Sequence, residues 1–412
     1  MWFHSRLLII MGPTPPSAII RDVYSYKGYR ISQTFLTNQE LRIFLRKTGK
    51  TGLCPNCGIH CRRIENEHER TIRDMDIAGR TARITFIERK IVCKCGFRGL
   101  EFLDFVDKYS FYTKRFEEYV ALLCEKMTNK DVAKTCHINW KSVKDIDKKF
   151  LSSQKIGLDS ISPTGIGVDE VAYEKGHKYF TIVRELTQNR VIWIGIGRKK
   201  EILDQFFLEL GPSKSVKITV ATMDMWDPFI ASVKEHCPNV DIVFDKFHVS
   251  KKVNEALDAV RKTEFGKGDK RLRKVMKKKR FVILKRRRTL DENEKETISS
   301  LKEKNDTLYC AYLLKEQVLD IFDEKKEKMA VARFGTWFDN VVSSGIQQFE
   351  PVVKTVKTYF FGIQNYFKHR VTNAGAEGIN NKINVIKRKA YGYRDLEYFM
   401  LKILQSCGWR TP

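Results

Sequence analysis

The chain is short of acids, of proline and of long apolar runs. Its 412 residues carry 50 Asp and Glu against 76 Lys and Arg, a formal net charge of +26. Ten prolines and 24 glycines are too few for a collagen-like or low-complexity chain, and 42% hydrophobic residues is globular composition. No apolar run approaches the roughly 18–20 residues that cross a bilayer. The apolar stretch Leu7-Leu8-Ile9-Ile10 is followed by Pro13, Pro15 and Pro16 without a small-residue cleavage site, so no signal peptide is expected. Neither a Gly-x-Ser-x-Gly elbow nor a Walker loop occurs, which argues against serine-hydrolase and P-loop chemistry. No repeat of fixed period is present. The cationic excess calls for a polyanionic partner, with nucleic acid first and an anionic membrane surface second.

Ten cysteines are present, and five of them crowd into residues 54–95. That pattern reads as metal binding in a reducing compartment rather than as a disulfide framework. Cys54-Pro55-Asn56-Cys57 opens the segment and Cys93-Lys94-Cys95 closes it, while Ile84 and Phe86 alternate with Arg83 and Thr85 after a turn at Gly79-Arg80. The expectation is a hairpin with a knuckle at each end, and Cys54, Cys57, Cys93 and Cys95 as ligands of structural Zn²⁺. The Cys93–Cys95 spacing is tighter than the usual knuckle, so Cys61, His60 or His68 stand as replacements. Cys124, Cys136, Cys237, Cys310 and Cys407 read as packing thiols. In residues 1–50, Leu41, Phe44 and Leu45 fall at helical spacing.

From Phe111 to Phe150 the apolar period is helical. Phe116, Tyr119, Val120 and Leu123 share one face, a second helix follows Thr128, and a third runs from Trp140 with Val143 and Ile146 inward. This is a helix-turn-helix pattern, with Asn139, Lys141, Ser142 and Lys144 at the leading end of a recognition helix. Beyond it, strands are expected at 165–173, 179–186, 190–197, 216–222 and 240–244, with helices at 200–210 and 226–237. The order β-β-β-α-β-α-β is the ribonuclease H-like mixed α/β sheet, followed by a long helical stretch to about Val342 and a helical close. In that stretch residues 267–288 hold 13 Lys and Arg against Asp269 alone. Lys277, Lys278, Lys279 and Arg280 lie in its middle, and Phe281-Val282-Ile283-Leu284 argues that the run is docked and grips DNA. Leu301, Leu308, Tyr312, Val318 and Phe322 read as core.

Asp169 falls in the first strand of that sheet and Asp224 just past the fourth, so neighbouring strands would bring them together. Glu377 begins a late helix that a sheet of this kind can receive. Clustered hard oxygen ligands suit a pair of Mg²⁺ ions, which activate a nucleophile and stabilise a departing oxyanion in phosphodiester chemistry. Asp245 also ends a strand and competes with Asp224. His248, three residues later, either touches substrate or is a structural histidine. His177 has no hydrolase partner.

Gly167-Val168-Asp169-Glu170, Met223-Asp224-Met225-Trp226, Phe244-Asp245-Lys246-Phe247-His248 and Glu377-Gly378-Ile379-Asn380-Asn381-Lys382-Ile383 together resemble the DDE transposases of the ISL-three family of bacterial insertion sequences. Ile386-Lys387-Arg388-Lys389-Ala390-Tyr391-Gly392-Tyr393-Arg394 is similar to that family's tail, and the resemblance covers about residues 25–408. It implies a catalytic triad of Asp169, Asp224 and Glu377, a supporting role for Asp245, a helical insertion between the second and third acids, and an N-terminal zinc-binding domain. Lys387, Arg388 and Lys389 would hold phosphate near the metals. The expected organisation is an N-terminal segment (1–50), a zinc domain (51–105), a helix-turn-helix domain (110–155), a catalytic domain in two parts (160–250 and 346–412) and a basic helical insertion (251–345). The expected activity is Mg²⁺-dependent cleavage at element ends and strand transfer into target DNA. The partners would be double-stranded terminal inverted repeats and target DNA, with no membrane, in the cytoplasm with the nucleoid, and the chain would act as a homodimer or larger. The alternatives are a zinc-dependent DNA-binding regulator with an inactive ribonuclease H-like domain, and a structure-selective nuclease.

Overall fold

The computed structural model describes residues 18–154, 157–267, 277, 279–371 and 374–408. The chain forms two compact units, residues 1–155 and 156–412. The apolar stretch at 7–10 and its prolines lie outside the described residues, as do Lys278 and much of the basic run before it.

The first unit opens with a short helix, Ala18–Val23, and a five-stranded sheet of order β1-β2-β6-β5, with β7 also on β6. The strands are β1 Tyr29–Leu36, β2 Glu40–Lys47, β5 Ile64–Ile77, β6 Arg80–Val92 and β7 Arg98–Leu100, while β3 Gly52–Leu53 and β4 His60–Cys61 make a separate small hairpin. The helical spacing at Leu41, Phe44 and Leu45 is therefore overturned. Leu41, Ile43 and Leu45 are buried at period two, Phe44 faces outward, and β2 runs parallel to β6. A short apolar run satisfies both periods, and the neighbouring strand decides between them. The β5–β6 hairpin turns at Ala78 (φ 47) and Gly79 (φ 73), both left-handed as a tight two-residue turn requires. The two knuckles do not sit at opposite ends: Ile64 pairs with Ile91, so the open end of one hairpin carries both.

Buried Asp74 on β5 ties this sheet to the following helices. It accepts hydrogen bonds from Thr113 Oγ1 (2.6 Å) and Arg115 Nε (2.8 Å), and a close one from Tyr26. Burial alone would raise its pKa, but these donors overcome it and hold the carboxyl below its ordinary range. Three helices follow, Lys114–Lys126, Asn129–Cys136 and Trp140–Ser153, capped by the side chains of Thr113, Thr128 and Asn139. Phe116, Val120, Cys124, Val132, Cys136, Val143 and Ile146 form their core. Tyr119 is exposed and Cys124 takes the inward position.

The second unit is built on β8 Gly165–Glu174, β9 Lys178–Glu185, β10 Arg190–Ile196, β11 Val220–Met223 and β12 Asp241–Phe244, in the order β10-β9-β8-β11-β12. The first three strands are antiparallel, and β11 lies parallel between β8 and β12. This is the ribonuclease H-like mixed sheet. The strand expected from 216 begins only at Val220, because Pro212–Ser215 forms a helical turn first. Helices Lys200–Leu210 and Asp227–His236 cover one face, burying Leu203, Phe206, Phe207, Phe229 and Val233 with Ile166, Val168 and Val183. On the other face Ile379 and Ile383 of helix Ala374–Lys389, with Phe399 and Ile403 of helix Leu396–Cys407, pack on Val171, Phe180 and Ile182. Asp169 shares that second face, two residues before Val171.

The insertion between β12 and the Glu377 helix contains helices Lys246–Gly266, Arg280–Leu284, Glu292–Lys304, Asp306–Ile321 and Glu327–Ser344. Leu301, Leu308, Tyr312, Val318 and Phe322 are all core. Ile283 is buried, and the fully buried Lys315 donates to the carbonyls of Ile283 (3.2 Å) and Lys285 (2.7 Å), which docks the apolar interruption of the basic run. Phe281 of the same segment stays exposed. Helix Phe360–His369 closes the β12 edge, with Asn365 donating to the Ile242 carbonyl (2.9 Å) and Lys368 and His369 on Asp241 (each 2.6 Å).

Candidate active site, cysteine cluster and DNA-facing residues

A cavity of about 160 Å³ opens where the carboxyl end of β11 meets the middle of β8, and Asp169, Glu170, Asp224, Trp226, His248 and Lys252 line it. The neighbouring register of β8 and β11 brings Asp169 and Asp224 together across 55 positions of sequence. Gly167 is needed beside them. A Cβ there would lie 2.5 Å from Arg184 Nε, so its hydrogen lets the buried Arg184 of β9 cross the strand on the Asp169 face. Arg184 is held by Asn189 Oδ1 (2.9 Å), and Gly375 of the Glu377 helix rests on the same asparagine.

The Asp169 carboxylate is oriented at both oxygens. Oδ2 accepts from Asn380 Nδ2 (2.7 Å) and Oδ1 from the Glu170 amide (2.8 Å). Burial, and then the charge of Asp224, push its pKa up to about 6. His248 Nε2 stands 2.5 Å from Asp224 Oδ1, and that bond raises the imidazole pKa against the pull of burial, with Asp245 and Asp169 adding to it. Glu170 is raised by burial, with the Arg198 charge opposing. Arg198, 3.4 Å from Glu170, lies between the rings of Tyr179 and Trp226, whose indole N–H donates to the Arg198 carbonyl (3.1 Å).

Asp245 caps helix Lys246–Gly266 by accepting from the Phe247 amide (2.9 Å), and does not line the cavity. Glu377 is exposed, one turn before Asn380 on the helix that touches Asp169. It therefore stands on the Asp169 side of the sheet, but among the described residues the three acids do not yet gather within ligand distance of one another. The buried oxygens Glu170 Oε2 and Asn380 Oδ1 have no hydrogen-bond partner among the described residues. Unpartnered oxygens beside two carboxylates are a donor set that fits hard divalent cations. The sequence alone does not mark Glu170, Asn380, Arg184 or Arg198 as site residues. The first two stand inside the quoted motifs, whereas the arginines leave no local signal.

In the first unit the thiols of Cys54, Cys57, Cys93 and Cys95 all lie within 4.8 Å of one another. The Cys54–Cys95 and Cys57–Cys93 sulfurs are 3.7 and 3.5 Å apart. Zn–S bonds of about 2.3 Å in a tetrahedron place sulfurs roughly 3.8 Å apart, so the cluster has the size of a Zn²⁺ site. Of the alternatives, His60 points at Thr51 and His68 at Glu88, while Cys61 lies beside Cys93 with its thiol toward the Ile59 carbonyl and outside the four that gather.

The DNA-facing expectations divide. Asn139 spends its side-chain oxygen as the cap of the recognition helix, accepting from the Lys141 amide (2.8 Å). Lys141 is exposed, Ser142 half-buried, and Lys144 lies 3.7 Å from Asp145. In the basic run Lys277 is exposed, Lys279 donates to Thr297 (2.8 Å) and Arg280 pairs with Asp258 (3.1 Å), whereas Lys278 is outside the described residues. Lys285 pairs with Glu294, and Arg286 and Arg288 with Asp323. The insertion's own acids thus offset part of the charge that the run shows in sequence. Lys387 reaches the Ala172 carbonyl (3.3 Å) and Arg388 its own helix at Asn384, while Lys389 is exposed at the helix end.

Comparison with known proteins agrees with this geometry along nearly the whole chain. Family models described as a zinc-finger of transposase IS204/IS1001/IS1096/IS1165, a helix-turn-helix domain of transposase family ISL3, and a transposase match residues 50–95, 101–151 and 166–403 in turn. The chain is 32% identical over 392 residues to the transposase for insertion sequence element IS1001 of Bordetella parapertussis, covering 93% of this chain and 97% of that one. It is 27% identical over 326 residues to the transposase for insertion sequence element IS1557 of Mycobacterium tuberculosis, covering 73% of each. No helix among the described residues is long and apolar enough to cross a membrane. A zinc ribbon, a helix-turn-helix and a ribonuclease H-like DDE domain follow one another in this chain, which belongs to the ISL3 family of transposases.

Proposed function

We propose that Asp169, Asp224 and Glu377 hold two Mg²⁺ ions and cut DNA at the ends of an insertion sequence, then join the freed 3′-hydroxyl to target DNA. The observation that carries this reading is the cavity in which Asp169 and Asp224 meet, with Asp169 bonded by Asn380 from the Glu377 helix. Bound there, the ions would activate the attacking oxygen and stabilise the departing one. The protein's part is positioning. Asn380 and the Glu170 amide fix the Asp169 carboxylate, and His248 holds Asp224 until a cation takes its place. Lys252, one turn after His248, offers positive charge to a phosphate entering the cavity. Glu377 would close on the site when cation and DNA relieve the repulsion among the acids. Asp245 acts through the helix it caps.

Cys54, Cys57, Cys93 and Cys95 would hold structural Zn²⁺, and Lys141, Ser142 and Lys144 would read or grip the terminal inverted repeats. Lys277, Lys279, Arg280, Lys387, Arg388 and Lys389 would add sequence-independent phosphate contacts. Cutting two ends in concert calls for a homodimer or larger on DNA, in the cytoplasm with the nucleoid. The inactive-regulator alternative is not favoured, because this domain matches transposases over residues 166–403.

The test is cleavage of a duplex carrying an element end, with Mg²⁺, by the wild type, Asp224→Asn and Asp245→Asn. The reading expects Asp224→Asn to be dead and Asp245→Asn to keep measurable cleavage. Equal activity of wild type and Asp224→Asn would overturn it.

A further inference from the structure

The outer face of the first unit's sheet carries a basic groove that no domain function described above uses. It spans about 690 Å³ and is lined by five cations against two carboxylates, with the half-buried ring of Phe44 in its floor. Its core is an unfavourable pair. Arg30 of β1 stands directly opposite Arg46 of β2, where cross-strand side chains approach within about 5 Å. Like charges in that register destabilise a sheet. Among the described residues neither arginine has an acidic partner, and neither has Lys50 in the loop after β2. Elsewhere on this face Arg42 and Arg83 meet Glu40, and Arg89 meets Glu67 at 2.6 Å, while Glu69 has no ion pair among the described residues.

We propose that this groove binds the sugar-phosphate backbone of double-stranded DNA, with Arg30 and Arg46 straddling one phosphate and Lys50 meeting a second. Two adjacent guanidinium forks present parallel N–H donors to phosphate oxygens, and a bound anion removes the repulsion that the empty pair carries. Arg30 and Arg46 precede the zinc-finger match, which begins at residue 50, while Lys50 and the Glu67, Glu69 and Arg89 side of the groove fall within it. The proposal rests on DNA being the chain's substrate and is independent of the carboxylate assignment.

The test is binding of the full-length, zinc-loaded protein to a fluorescent duplex without an element end, in EDTA-free buffer lacking Mg²⁺, followed by anisotropy across a salt series. Arg30→Gln with Arg46→Gln is expected to lower the slope of log K against log salt by about 1, and adding Lys50→Gln by about 1 more. Near 0.15 M salt each lost contact weakens binding about five-fold. The double variant should melt no lower than wild type without DNA, because it removes a repulsion. Single Arg30→Gln on the edge strand serves if the double variant fails to fold. An unchanged slope overturns the proposal, including the case in which the variants lose affinity only for an acidic peptide. Asp224→Asn must keep the wild-type slope here whether or not it loses end cleavage with Mg²⁺, which separates failure of this surface from failure of the active site.

Discussion

The cysteine cluster and the carboxylate cavity are both candidate metal sites, yet the structure assembles one and leaves the other open. The four thiols flank the two strands at the open end of one hairpin, so the β5–β6 register carries them together. The acids come from β8, from the end of β11 and from a helix more than 150 positions later, and each is a charge that resists the others. Burial, and then the charge of Asp224, raise the Asp169 carboxyl to about 6, and exposed Glu377 is the geometric counterpart of that resistance. The thiols share hydrogen bonds with one another, Cys54 with Cys95 and Cys57 with Cys93, whereas clustered carboxylates have no proton to share and need a cation or a proton. On the proposed reading, the ribbon is a site that metal would lock, and the cavity one that cation and DNA would complete.

The largest effect that would break this contrast is on zinc. Structural Zn²⁺ in small domains contributes about 10–16 kcal/mol of apparent binding free energy, so Cys57→Ser with Cys93→Ser should unfold the ribbon. Limited proteolysis and circular dichroism should show that loss, while the β8–β12 sheet keeps its protection from hydrogen exchange. Next comes Asp224→Asn, expected to lower end cleavage by at least about 10³-fold without unfolding. The same change removes the Asp224 charge, so the Asp169 carboxyl should titrate lower, which carbon-detected NMR can follow.

The pH dependence is smaller and has a definite sign. A carboxyl raised from about 3.9 unfolded to about 6 folded stabilises the native state fully below the unfolded value, and that stabilisation disappears as pH rises through about 6. The wild type without divalent metal should therefore lose up to about 3 kcal/mol relative to Asp169→Asn between pH 4 and pH 7. Mg²⁺ should restore it, and Mg²⁺-dependent cleavage should fall below about pH 6.

Much of this was legible in the sequence. Alternating strands and helices placed Asp169 and Asp224 on neighbouring strands, and two cysteine knuckles flanked an evident hairpin. The unreadable parts depend on partners far along the chain. Leu41 and Leu45 fit two periods until β6 is beside them. Arg184 matters because Gly167, seventeen positions earlier, leaves it room. The basic run looked wholly available because Asp320, Asp323 and Glu294, which neutralise part of it, come later in the chain.

The smallest expected effect sharpens the role of Asn139. As a helix cap alone, Asn139→Ala should cost about 1 kcal/mol and Asn139→Ser almost nothing, read by thermal melting. Loss of sequence preference in Asn139→Ser at unchanged stability would mean that its amide also reads a base.

The most direct test of the central claim is anomalous diffraction from Mn²⁺ in a complex with an element-end duplex. The expected result is two Mn²⁺ peaks contacting Asp169 and Asp224, with Glu377 drawn onto one of them and Asp245 still capping its helix. Manganese held by Asp169 and Asp245, or Glu377 left in solvent with both ions bound, would contradict the account.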